Sequence, residues 1–116
     1  MNPLVSVIVP IYNAAPFLKE TLDSITASTY RPIEIVMVDD GSQDNSINIA
    51  QDYCTNHPEC TVIAQANQGV SVARNNAIRH AKGIYILPVD ADDKIADTFI
   101  QKAVEVIEKN DNIRVV

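Results

Sequence analysis

With 116 residues, 47% of them hydrophobic and 21% charged, the sequence has the length and make-up of one globular domain with a core of its own. A net charge of −6 argues against a nucleic-acid partner, whose phosphates demand a basic face, and means that a phosphate ligand would need a metal bridge or a well-placed Arg. No run approaches the ~18 apolar residues of a membrane span, and Met1-Asn2-Pro3-Leu4 lacks the features of a signal peptide, so the expected setting is cytoplasmic.

Residues 4–9 form a β-branched apolar run closed by Pro10, which cannot donate to a sheet ladder and marks the expected end of a first strand. Over residues 15–27, Phe17, Leu18, Leu22 and Ile25 fall at helical spacing, and Pro16 suits a first turn. Residues 33–38 read as a second strand that ends in Asp39-Asp40-Gly41-Ser42. A second helix follows with Ile47, Ala50, Tyr53 and Cys54 on one face, and Asp44 or Ser42 is its expected N-cap.

Residues 61–64 make a third strand, and Asn67-Gln68-Gly69 leads into a third helix. Val70, Ala73, Ala77 and Ala81 are expected to face inward, with Gly83 as the C-terminal stop. A fourth apolar run, residues 84–89, ends abruptly in Asp90-Ala91-Asp92-Asp93. Phe99, Ile100, Ala103, Val104 and Ile107 define the last helix, and residues 113–116 begin a fifth strand. Cys54 and Cys60 read as free thiols. A zinc site needs four ligands, and only His57 and His80 could be added to the pair.

This alternation predicts an α/β fold, a mostly parallel sheet with helices on both faces and right-handed crossovers. Without repeats or low-complexity segments, residues 1–116 read as a single domain. A chain that stops at a fresh apolar strand reads as part of a longer one.

In open α/β sheets, ligands bind beyond the carboxyl ends of the strands. The unusual residues gather there: Pro10-Ile11-Tyr12-Asn13, Asp39-Asp40-Gly41-Ser42, and Asp90-Ala91-Asp92-Asp93. Taken singly, the second stretch is also an ordinary Asx turn with a helix cap, Tyr12 a packing residue, and Arg74 a surface cation. Three carboxylates within four residues repel one another and call for a cation, and two carboxylates plus substrate phosphates suit Mg²⁺ or Mn²⁺. An EF-hand is excluded, because counting from Asp90 its fifth and sixth positions are Lys94 and Ile95. No GxGxxG follows the first strand and no GxxxxGK[ST] occurs, which excludes Rossmann dehydrogenases and P-loop NTPases.

Together Pro10-Ile11-Tyr12-Asn13, residues 38–46, residues 67–75 and Asp90-Ala91-Asp92-Asp93 resemble the family 2 glycosyltransferases. The resemblance covers nearly the whole chain. It implies the Rossmann-like, nucleotide-binding half of a GT-A fold and an inverting, metal-dependent transfer from a nucleoside-diphosphate sugar, with UDP-sugar the expected donor. The acceptor would be a saccharide or lipid-linked hydroxyl, as in polysaccharide biosynthesis.

By the same resemblance Pro10 and Tyr12 wall the base, Asp40 bonds it, and Arg74 lines the nucleotide-sugar site. Asp90 and Asp92 would reach ribose or sugar, while Asp92 and Asp93 would hold Mn²⁺ or Mg²⁺ on the diphosphate. The general base belongs to a later segment in this family, so it is expected beyond Val116. The chain is then the donor-binding, N-terminal part of a longer catalytic domain, one that admits a homodimer and membrane association of the full-length protein.

Two other classes remain open at this stage. A sugar-1-phosphate nucleotidyltransferase should carry a Gly-rich loop after strand one, where Pro10-Ile11-Tyr12-Asn13-Ala14-Ala15 has no Gly. A phospho-receiver domain should carry its acidic pair after strand one, not after strand two.

Overall fold

A computed structural model describes residues 2–109. Strands and helices alternate throughout: β1 (Val5–Ile11), α1 (Ala15–Thr26), β2 (Ile33–Asp40), α2 (Ser46–Asn56), β3 (Cys60–Gln65), α3 (Val70–His80), β4 (Tyr85–Pro88) and α4 (Phe99–Glu108). The four strands make one parallel sheet in the order β3-β2-β1-β4. The fifth strand expected at residues 113–116 lies outside the described residues.

Alternation along β1 and β2 divides the core in two. Val5, Val7, Val9 and Ile11 of β1 with Ile35 and Met37 of β2 face Leu18, Leu22, Ile25, Ala50, Ile100 and Ile107, which come from α1, α2 and α4. Ile8, Val36 and Val38 face Ala73 and Ala77 of α3. Each fully buried Leu or Ile contributes about 2 kcal/mol relative to an exposed one. Chain order explains the unequal faces. The β1-to-β2 and β2-to-β3 crossovers run the same way along the sheet, whereas the step from β3 to β4 reverses. Right-handed connections then place α3 opposite α1 and α2.

Several boundaries differ from expectation. β1 runs through Pro10 to Ile11, with Pro10 in register against Val38. Val89 N–H donates to the carbonyl of Ile8 (3.0 Å), so even-numbered residues of β1 turn their backbone groups toward β4. The β1–β4 ladder ends at Ile8↔Pro88, and Pro10 lies beyond it, where no ladder bond is lost. β2 extends to Asp40 because Asp39↔Ala64 and Asp40↔Gln65 continue its pairing with β3. Pairing on a central strand overrides the low strand preference of Asp.

Gly83 does not end α3, which stops at His80 with Ala81 as its C-cap. It is instead a point of close approach. Its N–H donates to Ser6 Oγ (2.7 Å), and a Cβ there would lie 2.5 Å from that oxygen and 2.8 Å from the Leu4 carbonyl. Val70, expected to face inward, is 55% exposed. The residue at the cap position of α2 is Asn45, whose side chain makes no capping bond. Of the two expected caps, Asp44 accepts from the Ser46 N–H at the start of α2 and from Ala15 N–H as well, whereas Ser42 accepts from Asn13 N–H. Both cysteines are free; burial, with smaller contributions from Cys54 and Glu59, pushes the Cys60 thiol up to about 12. Among the described residues no helix is long and apolar enough to cross a membrane.

Candidate functional site

The carboxyl ends of the strands open on two adjoining hollows. One, of about 210 Å³, is lined by Pro10, Tyr12, Asp40, Asn67, Gly69 and Val70 among others. The second, of about 200 Å³, shares Pro10, Tyr12 and Val70 and continues to Phe17, Asp90 and Asp92. Tyr12, half exposed, therefore stands at the border of both. The fold brings five of the seven expected residues, Pro10, Tyr12, Asp40, Asp90 and Asp92, to this crevice.

Asp40 is 3% exposed, and both of its oxygens are occupied. Oδ1 accepts from Gln65 Nε2 (2.9 Å) and Gln68 N–H (2.8 Å); Oδ2 accepts from Gly69 N–H (3.0 Å) and Asn67 Nδ2 (3.3 Å). Burial pushes its pKa up. The Gln65 amide and the N–H groups of Gln68 and Gly69 more than offset that, so the carboxyl lies below its ordinary range. Asp40 thus fixes the 67–69 loop, the wall of the first hollow. Gly69 has φ +100° and ψ 161°, a region essentially reserved for glycine. Gly41, at φ +74°, lets Asn67 approach: a Cβ there would sit 2.9 Å from the Asn67 nitrogen.

The acidic turn follows β4. Asp93 N–H donates to the Asp90 carbonyl (3.1 Å), and one carboxylate oxygen from each of Asp90, Asp92 and Asp93 lies within 4.8 Å of the other two. All three are exposed. Three converging hard oxygen donors that leave coordination positions open fit Mg²⁺ or Mn²⁺, not a thiolate-seeking metal. Asp93 borders a neighbouring hollow with Asp90, so the cluster stands where the two hollows meet, with Asp90 common to both.

Thr21 of α1 holds this turn, a role that went unread in the sequence. Its buried hydroxyl donates to the Ala91 carbonyl (2.8 Å). Ile95 N–H donates to Ser24 Oγ (3.2 Å), and Lys94 pairs with Glu20 (2.9 Å). Period 3.6 placed Thr21 beside Leu18, Leu22 and Ile25 on the buried face, and a lone hydroxyl there was the available signal.

Arg74 lies on α3 and lines neither hollow. Its Nε is buried without a hydrogen-bond partner, and no ion pair joins it to the acidic turn among the described residues. Asn67, Gly69, Val70 and Phe17 line the crevice without having been singled out as site residues.

Comparison with known proteins bears on this geometry. The family model described as glycosyl transferase family 2 matches residues 6–116. The chain is 46% identical over 110 residues to EpsJ of Bacillus subtilis, described as an uncharacterized glycosyltransferase; the match covers 95% of this chain and 32% of that protein. The fold is similar to Staphylococcus aureus TarS 1-349 in complex with UDP-GlcNAc, with TM-score 0.84 and 32% identity over 92% of this chain and 32% of that one. It is also similar to the mannosyltransferase PcManGT of Pyrobaculum calidifontis in complex with GDP-Man and Mn²⁺, with TM-score 0.86 and 34% identity over 92% of this chain and 33% of that one. The chain spans about a third of the length of these proteins.

Proposed function

The chain belongs to glycosyl transferase family 2, and from that membership we propose that its crevice binds the donor of an inverting transfer, a nucleoside-diphosphate sugar, with UDP-sugar preferred. The observation that carries the reading is the border position of Tyr12. One continuous crevice runs from Asp40 and the 67–69 loop, past Tyr12, to Asp90 and Asp92. A base stacked on Tyr12 beside Asp40 and Asn67 would extend its diphosphate toward the acidic turn.

Asp92 and Asp93, with Asp90 in support, would hold Mn²⁺ or Mg²⁺ there. The metal would supply Lewis-acid neutralisation of the leaving nucleoside diphosphate. Arg74 is proposed as a donor-site residue on the resemblance of residues 67–75 to the family pattern, since nothing it touches engages its Nε. The chain is acidic overall, and the acidic turn can meet an anionic diphosphate only through a cation. We assign these residues to donor binding within a longer transferase; the acceptor is a saccharide or lipid-linked hydroxyl.

Calorimetric titration with UDP, UDP-sugars and GDP, with and without Mn²⁺, tests the proposal. UDP should bind more tightly with Mn²⁺ and more tightly than GDP, and Asp93→Ala should abolish the metal effect while Glu105→Ala leaves it. Absence of binding by any nucleoside diphosphate in Mn²⁺ would overturn the reading.

A further inference from the structure

We infer that Asp44 is the positioning residue that sets the Tyr12 ring between the two hollows, an inference that rests on the donor-site reading above. No hydrogen bond tethers Tyr12 among the described residues, so the backbone on either side sets where its ring emerges. On one side Ile11 is paired with Asp39 in the ladder. On the other, Asn13 adopts φ +50°, a left-handed conformation that a residue other than glycine keeps only when its surroundings impose it.

Those surroundings are the 42–46 segment. Asn13 N–H donates to Ser42 Oγ (2.9 Å), and Gln43 N–H donates to Asn13 Oδ1 (2.8 Å). Ala14-Ala15-Pro16 offers no side chain to cap the start of α1, so the open N–H groups there need partners from elsewhere in the chain. Ala14 N–H donates to Ser46 Oγ (2.9 Å), and Ala15 N–H donates to Asp44 Oδ2 (3.1 Å). The other oxygen of Asp44 accepts from Ser46 N–H, the first residue of α2, at 2.9 Å.

One carboxylate thus joins the N-termini of two helices, where negative charge is favoured twice over. Ser42 holds Asn13 and Ser46 holds Ala14, while the Asp44 carboxylate is the one group of the three that accepts from both Ala15 of α1 and Ser46 of α2. Its removal frees the N–H groups of Ala15 and Ser46 together, and so loosens the 42–46 segment against the turn that follows Tyr12.

The test is a double-mutant cycle on UDP affinity in Mn²⁺, measured by calorimetry on Asp44→Ala, Tyr12→Ala and the double variant, with melting temperatures recorded for each. Asp44→Ala should weaken UDP about tenfold. Adding it to Tyr12→Ala should cost little more, because both remove the same wall. Asp44→Asn retains one acceptor oxygen and should recover part of the loss; it also carries the cycle if Asp44→Ala fails to fold. Asp23→Ala, which removes the partner of Lys19 and Tyr53 elsewhere on α1, should lower the melting temperature with UDP affinity unchanged. Wild-type affinity in Asp44→Ala, or losses that simply add, would overturn the inference and leave the donor site standing. A wild-type chain that binds no nucleoside diphosphate overturns both.

Discussion

Asp39 and Asp40 are neighbours in β2 and face opposite sides of the sheet. Ile35 and Met37 set the α1–α2 face and Val36 and Val38 the α3 face, so alternation sends Asp39 to the first and Asp40 to the second. Asp40 meets four donors from Gln65 and the 67–69 loop. Asp39 accepts from Ser42 N–H (3.1 Å), and its Oδ1 is buried without a partner. The same residue type in adjacent positions therefore contributes very differently to the fold.

Replacement by Asn separates the two. In Asp40→Asn an amide NH₂ is set against donors, leaving the part-buried N–H of Gln68 or Gly69 without its acceptor at a cost of about 1–2 kcal/mol. Asp39→Asn removes a buried charge while keeping an acceptor for Ser42, and its stability should stay within about 0.5 kcal/mol of wild type. Urea unfolding of both variants at neutral pH measures the difference. Equal losses would contradict the face assignment.

Acid should erase the advantage of Asp40. Its pKa is depressed in the folded chain, so the stability it contributes is present above the unfolded value of about 3.9 and is lost as pH falls through the lower folded value. Asp44 and Asp23 are shifted the same way, the first chiefly by Ser46 and the second chiefly by Lys19, and they add to the decline. The expected result is a gap between wild type and Asp40→Asn that is full at pH 6 and shrinks below about pH 4. A gap that widens on acidification would reverse the sign and refute the assignment.

The three glycines should rank by what surrounds them. Gly83→Ala drives a Cβ to 2.7 Å from the backbone nitrogen of Ser6 and 2.8 Å from the Leu4 carbonyl, where little can yield, and should cost about 1–3 kcal/mol. Gly69→Ala meets no atom within 4 Å, so its loss comes from backbone strain alone. Gly41→Ala combines both faults, with φ +74° and the Asn67 nitrogen 2.9 Å away. It should be the most damaging of the three, as read by melting temperature. Loss of the 67–69 loop position in Gly41→Ala should also appear as weaker nucleotide binding, which Gly83→Ala leaves unchanged.

What the sequence revealed and what it concealed divide along physical lines. Apolar periodicity located all eight described elements and the two-faced sheet, because burial is written in every turn of helix and every second residue of strand. The acidic turn after β4 was legible because Asp90, Asp92 and Asp93 have no comfortable role in a core. Hydrogen bonds between loops distant in sequence were not legible. Asp44 reads as a local helix cap, which it is for Ser46, but its bond to Ala15 across 29 positions shows only in the fold. Gly83 looks like a helix stop until Ser6 arrives beside it. Pro10 looks like a strand end until the missing β4 partner explains why it costs no ladder bond. Short-range rules fail where a long-range partner supplies the missing half.

Thr21 offers a way to move the acidic turn without touching an acid. Its hydroxyl bonds the carbonyl of Ala91, which lies between Asp90 and Asp92, and it also reaches the Phe17 carbonyl (3.2 Å). Thr21→Val keeps the shape and removes the donor, leaving the Ala91 carbonyl unpaired in a buried place at a cost of about 1–2 kcal/mol. Release of that carbonyl lets the turn shift, and the three carboxylates lose their common focus. On the proposed donor reading, uridine contacts would lie in the other hollow, beside Asp40 and Asn67, and should not change. The variant should therefore bind UDP with a smaller Mn²⁺ enhancement than wild type while its metal-free affinity for uridine is preserved. Equal losses for both ligands would mean that Thr21 supports the whole crevice and not the metal end, and an undiminished Mn²⁺ enhancement would mean that the acidic turn keeps its place without α1.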